Sequence, residues 1–211
     1  MPGNQSSAGR GAAAQSPPPA GRSRPGQIRG GRHGLTPEQV SDSQRARVLA
    51  ALRTLVAARG LGRVTVAEVV RHAGVSRKTF YELYASKEAC FADLYGRELD
   101  RLLGPAVAAF AGDDPWAERL RGALGTLLGG LAADPEAARI CFVEVLAAGP
   151  VALERRNAEM ARVAALLTPP PGERRGPRSA LAAGAVGYLS EVLNREIAAG
   201  RAELLPGLVG E

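Results

Sequence analysis

Apolar side chains recur at spacings of three and four along most of the chain beyond position 36, the rhythm of amphipathic helices. Val48, Leu49, Leu52, Leu55 and Val56 form one stripe, predicting a helix that starts near Thr36 or Asp42 and stops at Arg59-Gly60. Val66, Val69, Val70 and Ala73 form a second stripe. It is bounded by Thr65, whose hydroxyl caps the free N–H groups of the first turn, and by Gly74; Glu68 completes a capping box. Phe91, Leu94, Tyr95, Leu99 and Leu102 predict a helix from Ser86 to about Leu103, with an interruption at Gly104-Pro105 before it continues to Phe110.

Further along, Asp114-Pro115 opens a stripe of Trp116, Leu120, Leu124, Leu127, Leu128 and Leu131. Asp134-Pro135 opens another through Ile140, Phe142, Val143, Val145 and Leu146. Helices over 151–167 and 178–199 follow, separated by a solvated loop, and a short turn or packed tail ends the chain. The expected fold class is all-α, with a small three-helix unit joined by the fourth helix to a larger helical domain. A unit of about fifty residues is marginal alone, so the fourth helix should tie it to the rest.

The stretch from Ser76 to Tyr84 gives the small unit its meaning. Ser76 caps a third helix after the Gly74-Val75 turn, so the second and third helices read as a helix-turn-helix. On the third helix Arg77, Lys78, Thr79 and Tyr81 fall on the exposed side and Phe80, Leu83 and Tyr84 towards the protein. In a major groove Lys78 would reach guanine or phosphate, Thr79 phosphate or a thymine methyl, and Tyr81 a backbone oxygen. Ser86 caps the next helix, where Lys87 beside free N–H groups reads as a phosphate clamp. The cap-turn-cap grammar alone fits a plain helical hairpin equally well.

Charge favours the polyanion. Residues 1–36 carry five arginines and no acid, residues 37–95 nine basic and six acidic side chains, and residues 96–211 thirteen basic and fifteen acidic. The excess therefore lies on the motif's side of the molecule, where it orients a protein on DNA. Residues 1–36 are rich in Gly, Pro, Ser and Ala and are expected to be a disordered tail, either a plain extension or an arm that adds non-specific DNA affinity.

Thr65 through Lys87, read as T-V-x-E-V-V-x-x-A-G-V-S-R-K-T-F-Y-E-L-Y-x-S-K, resembles the N-terminal domain of the TetR family of bacterial one-component transcriptional regulators. The resemblance extends weakly back over Arg45 to Leu52 and forward to about Leu94. It implies phosphate contacts at Thr65, Tyr81 and Lys87 and base reading at or near Arg77, Lys78 and Glu82, with Ser76 and Thr79 on the same surface. One departure is Leu83-Tyr84, where the family usually shows Tyr-Phe; Tyr84 is expected to fill the aromatic core slot. The expected domains are a tail over 1–36, a DNA-binding head over 37–95 and a regulatory and dimerisation domain over 96–211.

The larger domain offers no reaction centre. His33 and His72 lack partners, Cys90 and Cys141 sit singly in helical patterns, and Gly129-Gly130 lacks the lysine and serine of a nucleotide loop. Neither a catalytic set, a metal cluster nor a cofactor is expected, and no stretch is apolar enough to span a membrane. Leu-, Ala- and Val-rich helices either pack completely or leave an apolar hollow, and the resemblance implies the hollow, with a small-molecule effector inside. Trp116, Leu120, Phe142, Val145, Leu146 and Tyr188 are the candidate lining. For a homodimer the candidate surface is the last long helix: Gly184, Ala185 and Gly187 permit close approach around Tyr188 and Leu189, with Arg195 at the rim. The resulting expectation is a cytoplasmic repressor, nucleoid-associated when DNA-bound, released from a palindromic double-stranded operator by an apolar or amphipathic effector. The alternative is a DNA-binding regulator controlled by a protein partner.

Overall fold

The structure is a computed structural model in which residues 34, 36–167 and 179–209 are described. All but two residues of the expected tail, Gly34 and Thr36, therefore lie outside the described residues. Helix α1 (Pro37–Arg59) is capped at Thr36, whose hydroxyl accepts from Gln39 N while its own N–H donates to Gln39 Oε1 at 2.8 Å. It ends at Gly60, whose φ of 79° favours glycine. A 3₁₀ turn, Leu61–Arg63, leads to α2 (Val66–Ala73) and α3 (Arg77–Leu83). Gly74 joins these two at φ 65° and ψ 35°, the left-handed conformation expected of the stop, and α1 packs on both.

Helix α4 (Lys87–Phe110) crosses the expected boundary between residues 95 and 96 and packs against α1, α5 (Trp116–Ala133), α6 (Pro135–Phe142) and α7 (Pro150–Leu167). The expected interruption at Gly104-Pro105 does not occur: α4 runs through Pro105. Leu102, Leu103 and Ala106 are buried on both sides of the proline while Gly104 and Pro105 face outward, so apolar packing holds the helix together where the ladder loses one N–H. Helix α6 also stops earlier than its apolar run, at Phe142, and a 3₁₀ turn over Glu144–Ala147 brings Glu144 and Val145 inward. Helix α8 (Ser179–Ala198) lies on α7 and α6, and a final 3₁₀ segment, Ala202–Val209, packs on α5 and buries Leu205.

One core runs the length of this assembly, from Val48, Leu52 and Phe80 in the head through Phe91 and Tyr95 on α4 to Leu128, Ile140 and Leu193 beyond. Each fully buried Leu or Phe side chain contributes roughly 1.5–3 kcal/mol, so α4 is fixed at both ends by packing. Charge adds a cross-brace. Arg53 on α1 lies 3.0 Å from Glu98 on α4, 2.6 Å from Asp134 at the cap of α6 and 3.2 Å from Glu136, and Arg101 reaches both Glu98 and Asp134. Among the described residues there is no strand, and no helix is long and apolar enough to cross a membrane.

Candidate nucleic-acid interface and effector cavity

Seven residues make α3 too short to persist alone, so its neighbours set its pose. Phe80 and Tyr84 supply the anchor at 1% and 7% exposure. The Tyr84 hydroxyl donates to Asp93 Oδ2 on α4 at 2.7 Å, and the Arg45 guanidinium of α1 lies over its ring. Burial, then the bond to Asp93, pushes the Tyr84 phenol well above its ordinary pKa, so it stays a neutral donor. With that side fixed, Arg77, Lys78, Tyr81 and Glu82 are exposed on the other. Lys78 forms only a loose pair with Glu82 at 3.7 Å, which a phosphate or a guanine edge can displace at little cost. At the helix start Ser76 Oγ accepts from Thr79 N and lies 2.9 Å from Thr79 Oγ1, leaving both hydroxyls with further acceptor capacity. Thr65 caps α2, and its hydroxyl donates to Glu68 Oε2 at 2.8 Å.

Lys87 has partners within the head. Its ammonium does not stand free at the surface as the expected clamp but donates to the carbonyl oxygens of Leu61 and Val64 at 3.0 and 2.9 Å. The 3₁₀ turn directs two carbonyls at the start of α4, and a lysine is the side chain that satisfies both. Lys87 thus binds the head to α4.

Behind the head, helices α4, α5, α6, α7 and α8 line an apolar cavity of about 320 Å³ that is open on one side to solvent. Tyr95, Leu99 and Leu103 line it from α4, Leu120 and Leu124 from α5, Cys141 and Phe142 from α6, Met160 and Val163 from α7, and Leu189 and Leu193 from α8. Arg156, Glu159 and Ser190 are the polar members of the wall. Burial pushes the Cys141 thiol far above its ordinary pKa and the Cys90 thiol up to about 12, so both are small apolar groups and poor nucleophiles. No group of acidic, histidine or cysteine side chains among the described residues is arranged to hold a metal.

Residues 48–94 match the model for bacterial regulatory proteins of the tetR family. The head belongs to the TetR family. No curated protein matches the sequence. Among solved structures, the fatty acid degradation regulator FadR from Bacillus halodurans superposes with a TM-score of 0.67 at 20% identity, covering 79% of this chain and 90% of that one. FadR from Bacillus subtilis, solved in complex with stearoyl-CoA, gives 0.66 at 18% identity over 78% and 93% of the two chains. A TetR family transcription regulator from Marinobacter aquaeolei VT8 gives 0.60 at 22% identity over 82% and 96%. At such identities these likenesses establish a shared all-α fold. The family match itself rests on residues 48–94, the segment that carries the helix-turn-helix.

The structure brings the expected cavity lining only partly together. Leu120 and Phe142 are in the wall. Val145 is fully buried in core outside it, Leu146 and Tyr188 are exposed, and Trp116 belongs to a separate polar cleft formed by residues 112–116 and Arg119. The early stop of α6 explains two of these, since the following 3₁₀ turn rotates Val145 and Leu146 off its apolar face. The expected dimer set also divides. Gly184, Tyr188 and Arg195 are exposed on α8 and Gly187 is half-buried, whereas Ala185 and Leu189 line the cavity, Ala185 while partly open to solvent. The α4 and α7 contributions were missed, although one signal was available. Arg156 interrupts the stripe Leu153, Met160, Val163 and Leu167 at its own three-four spacing, a charge where an apolar residue belongs.

Proposed function

We propose that the protein is a homodimeric repressor that binds a palindromic operator and is released by a small apolar or amphipathic effector held in the cavity. The observation that carries this reading is that one helix, α4, lines the cavity with Tyr95, Leu99 and Leu103 and grips the head through Lys87 at its first residue. A ligand that wedges α4 away from α7 or α8 would tilt the head through that grip. In a two-fold dimer both α3 helices must enter successive major grooves about 34–36 Å apart, so a tilt disfavours the DNA-bound state. An effector preferring the tilted state a hundredfold supplies about 2.7 kcal/mol of coupling.

Arg77 and Lys78 would read bases, Tyr81 would touch the phosphodiester backbone, and Ser76, Thr79 and Thr65 would supply hydroxyl contacts at helix starts. The stearoyl-CoA bound by the Bacillus subtilis relative makes acyl compounds the first effectors to try. A cytoplasmic site of action, on the nucleoid when DNA-bound, follows from this role. The test is fluorescence anisotropy with a duplex from the protein's own promoter region and a scrambled duplex at fixed salt, with and without stearoyl-CoA and shorter acyl compounds. Preferential binding to the promoter duplex, weakened by an acyl compound, is expected. Equal affinity for both duplexes would remove the repressor, and specific binding indifferent to every apolar ligand would point to control by a protein partner.

A further inference from the structure

The cavity wall is apolar except at Arg156, Glu159, Ser190 and the Tyr95 hydroxyl, and the chemistry of that group specifies a ligand more narrowly. Arg156 stands on the inward stripe of α7, where its guanidinium has given up part of its water, a loss usually compensated by a carboxylate. Among the described residues no carboxylate ion-pairs with it. Glu159, one turn away, is committed to Arg162 at 2.7 Å. The hydrogen bond Arg156 makes among the described residues runs from Nη2 to Ser190 Oγ at 3.0 Å, a neutral acceptor that leaves the charge unbalanced.

Two further groups converge there. Tyr95 is 2% exposed and lines the cavity, and its hydroxyl has no hydrogen-bond partner among the described residues. Its phenol lies within the fields of Arg156, Arg155 and Glu159, and burial raises its pKa, so it remains a neutral donor. Arg155 is packed against Gly96, where any Cβ would collide with the guanidinium. Among the described residues the polar part of the wall therefore holds a guanidinium without an ion-pair partner and a phenolic donor without a hydrogen-bond partner, with the Arg155 guanidinium outside the lining. That is a recognition set for an oxyanion.

We infer that the cavity takes an aliphatic acid, its carboxylate received by Arg156 with Ser190 and Tyr95 and its hydrocarbon laid along Leu99, Leu103 and Leu124. This deepens the effector reading above and rests on it. An acid head at Arg156 would sit between α4, α7 and α8, the helices whose separation the effector is required to change.

Isothermal titration of the full-length protein with decanoate, 1-decanol and decanoyl-CoA tests the inference. Decanoate is expected to bind about tenfold or more tightly than the alcohol, the scale of one charge-assisted hydrogen bond. Arg156→Met should abolish that preference while leaving decanol affinity within about twofold, because the apolar wall is untouched. Tyr95→Phe should lower decanoate affinity severalfold and serves as the second variant should Arg156→Met fail to fold. Equal binding of acid and alcohol to the wild type, or a preference that survives Arg156→Met, would overturn the carboxylate site and leave an apolar effector cavity standing. Binding of decanoyl-CoA alone, indifferent to Arg156, would likewise overturn it in favour of the thioester. If none of the three binds, both the carboxylate site and the acyl-effector reading fall.

Discussion

Glu144 accepts the backbone N–H of Leu61 at 2.8 Å, joining the turn after α6 to the turn that precedes the helix-turn-helix. The same Leu61 gives its carbonyl to Lys87 at 3.0 Å. One residue is thus held at its N–H by a residue that follows the cavity wall and at its carbonyl by the first residue of α4. Gly60 makes this possible. Its φ of 79° turns the chain, and a Cβ there would meet the Glu144 carboxylate at 3.3 Å.

Removing the Glu144 acceptor should therefore be costly. The carboxylate is buried and is also held by Arg139 at 2.8 Å. Glu144→Ala would orphan the Leu61 N–H and leave the Arg139 guanidinium without its partner, for an expected loss of roughly 1–3 kcal/mol in urea unfolding. Glu144→Gln keeps a carbonyl acceptor and should lose less. An alanine variant as stable as the parent would show that the junction contributes nothing.

The inward bonds of Lys87 distinguish it from the other cations of the head. Each phosphate neutralised adds about 0.9 to the slope of log affinity against log salt. Lys87→Met should lower stability and operator affinity but leave the salt slope unchanged, since its ammonium is engaged by two carbonyls. Lys78→Met and Arg77→Met should reduce discrimination between operator and scrambled duplex with little effect on stability, because both side chains are exposed. A slope that falls by about one in the Lys87 variant would restore it as a phosphate clamp.

The head was legible in the sequence because its instructions are local. Thr65 with Glu68, Gly74, and Ser76 with Thr79 each settle a helix end within four residues, and the structure has all of them. The carbonyl partners of Lys87 were not legible, because Leu61 and Val64 are more than twenty residues away and no side-chain pattern announces a backbone carbonyl. The cavity was half legible for a similar reason. Helical periodicity identifies apolar faces, but whether such a face meets core or hollow depends on how α4, α7 and α8 splay, a property of the whole bundle. Tyr188 and Leu189 illustrate the limit, because these neighbours on α8 point only about 100° apart, yet one is exposed and the other is in the cavity wall.

Acid stability should report on the cap of α2. Glu68 accepts from the Thr65 backbone N–H and hydroxyl and pairs with Arg59, in that order of effect, which lowers its pKa to about 2 from an ordinary 4.5. A folded-state pKa depressed in this way stabilises fully above the unfolded value and ceases to do so as pH falls through the folded one. Glu68→Gln should therefore flatten the loss of stability between about pH 4.5 and 2, measured by helical circular dichroism in urea at successive pH values. An unchanged acid arm would mean that the capping box opens before Glu68 titrates.

The outer face of α8 carries the dimer proposal, and the exposures decide which residues to change. Leu181 and Tyr188 are 65% and 73% exposed, large apolar side chains two turns apart with Gly184 between them. On a monomer such a stripe costs apolar hydration without return, whereas against a two-fold copy it supplies an aromatic anchor beside a glycine that admits close backbone approach. Tyr188→Asp and Leu181→Glu should each raise the dimer dissociation constant by at least about tenfold in sedimentation equilibrium, the scale of losing one anchor. Operator affinity should fall with dimerisation, because a single α3 reads only a half-site. Chain stability at concentrations where the parent is already dissociated should be unchanged, since neither side chain belongs to the buried core. Dimers of undiminished affinity in both variants would move the interface off this face of α8.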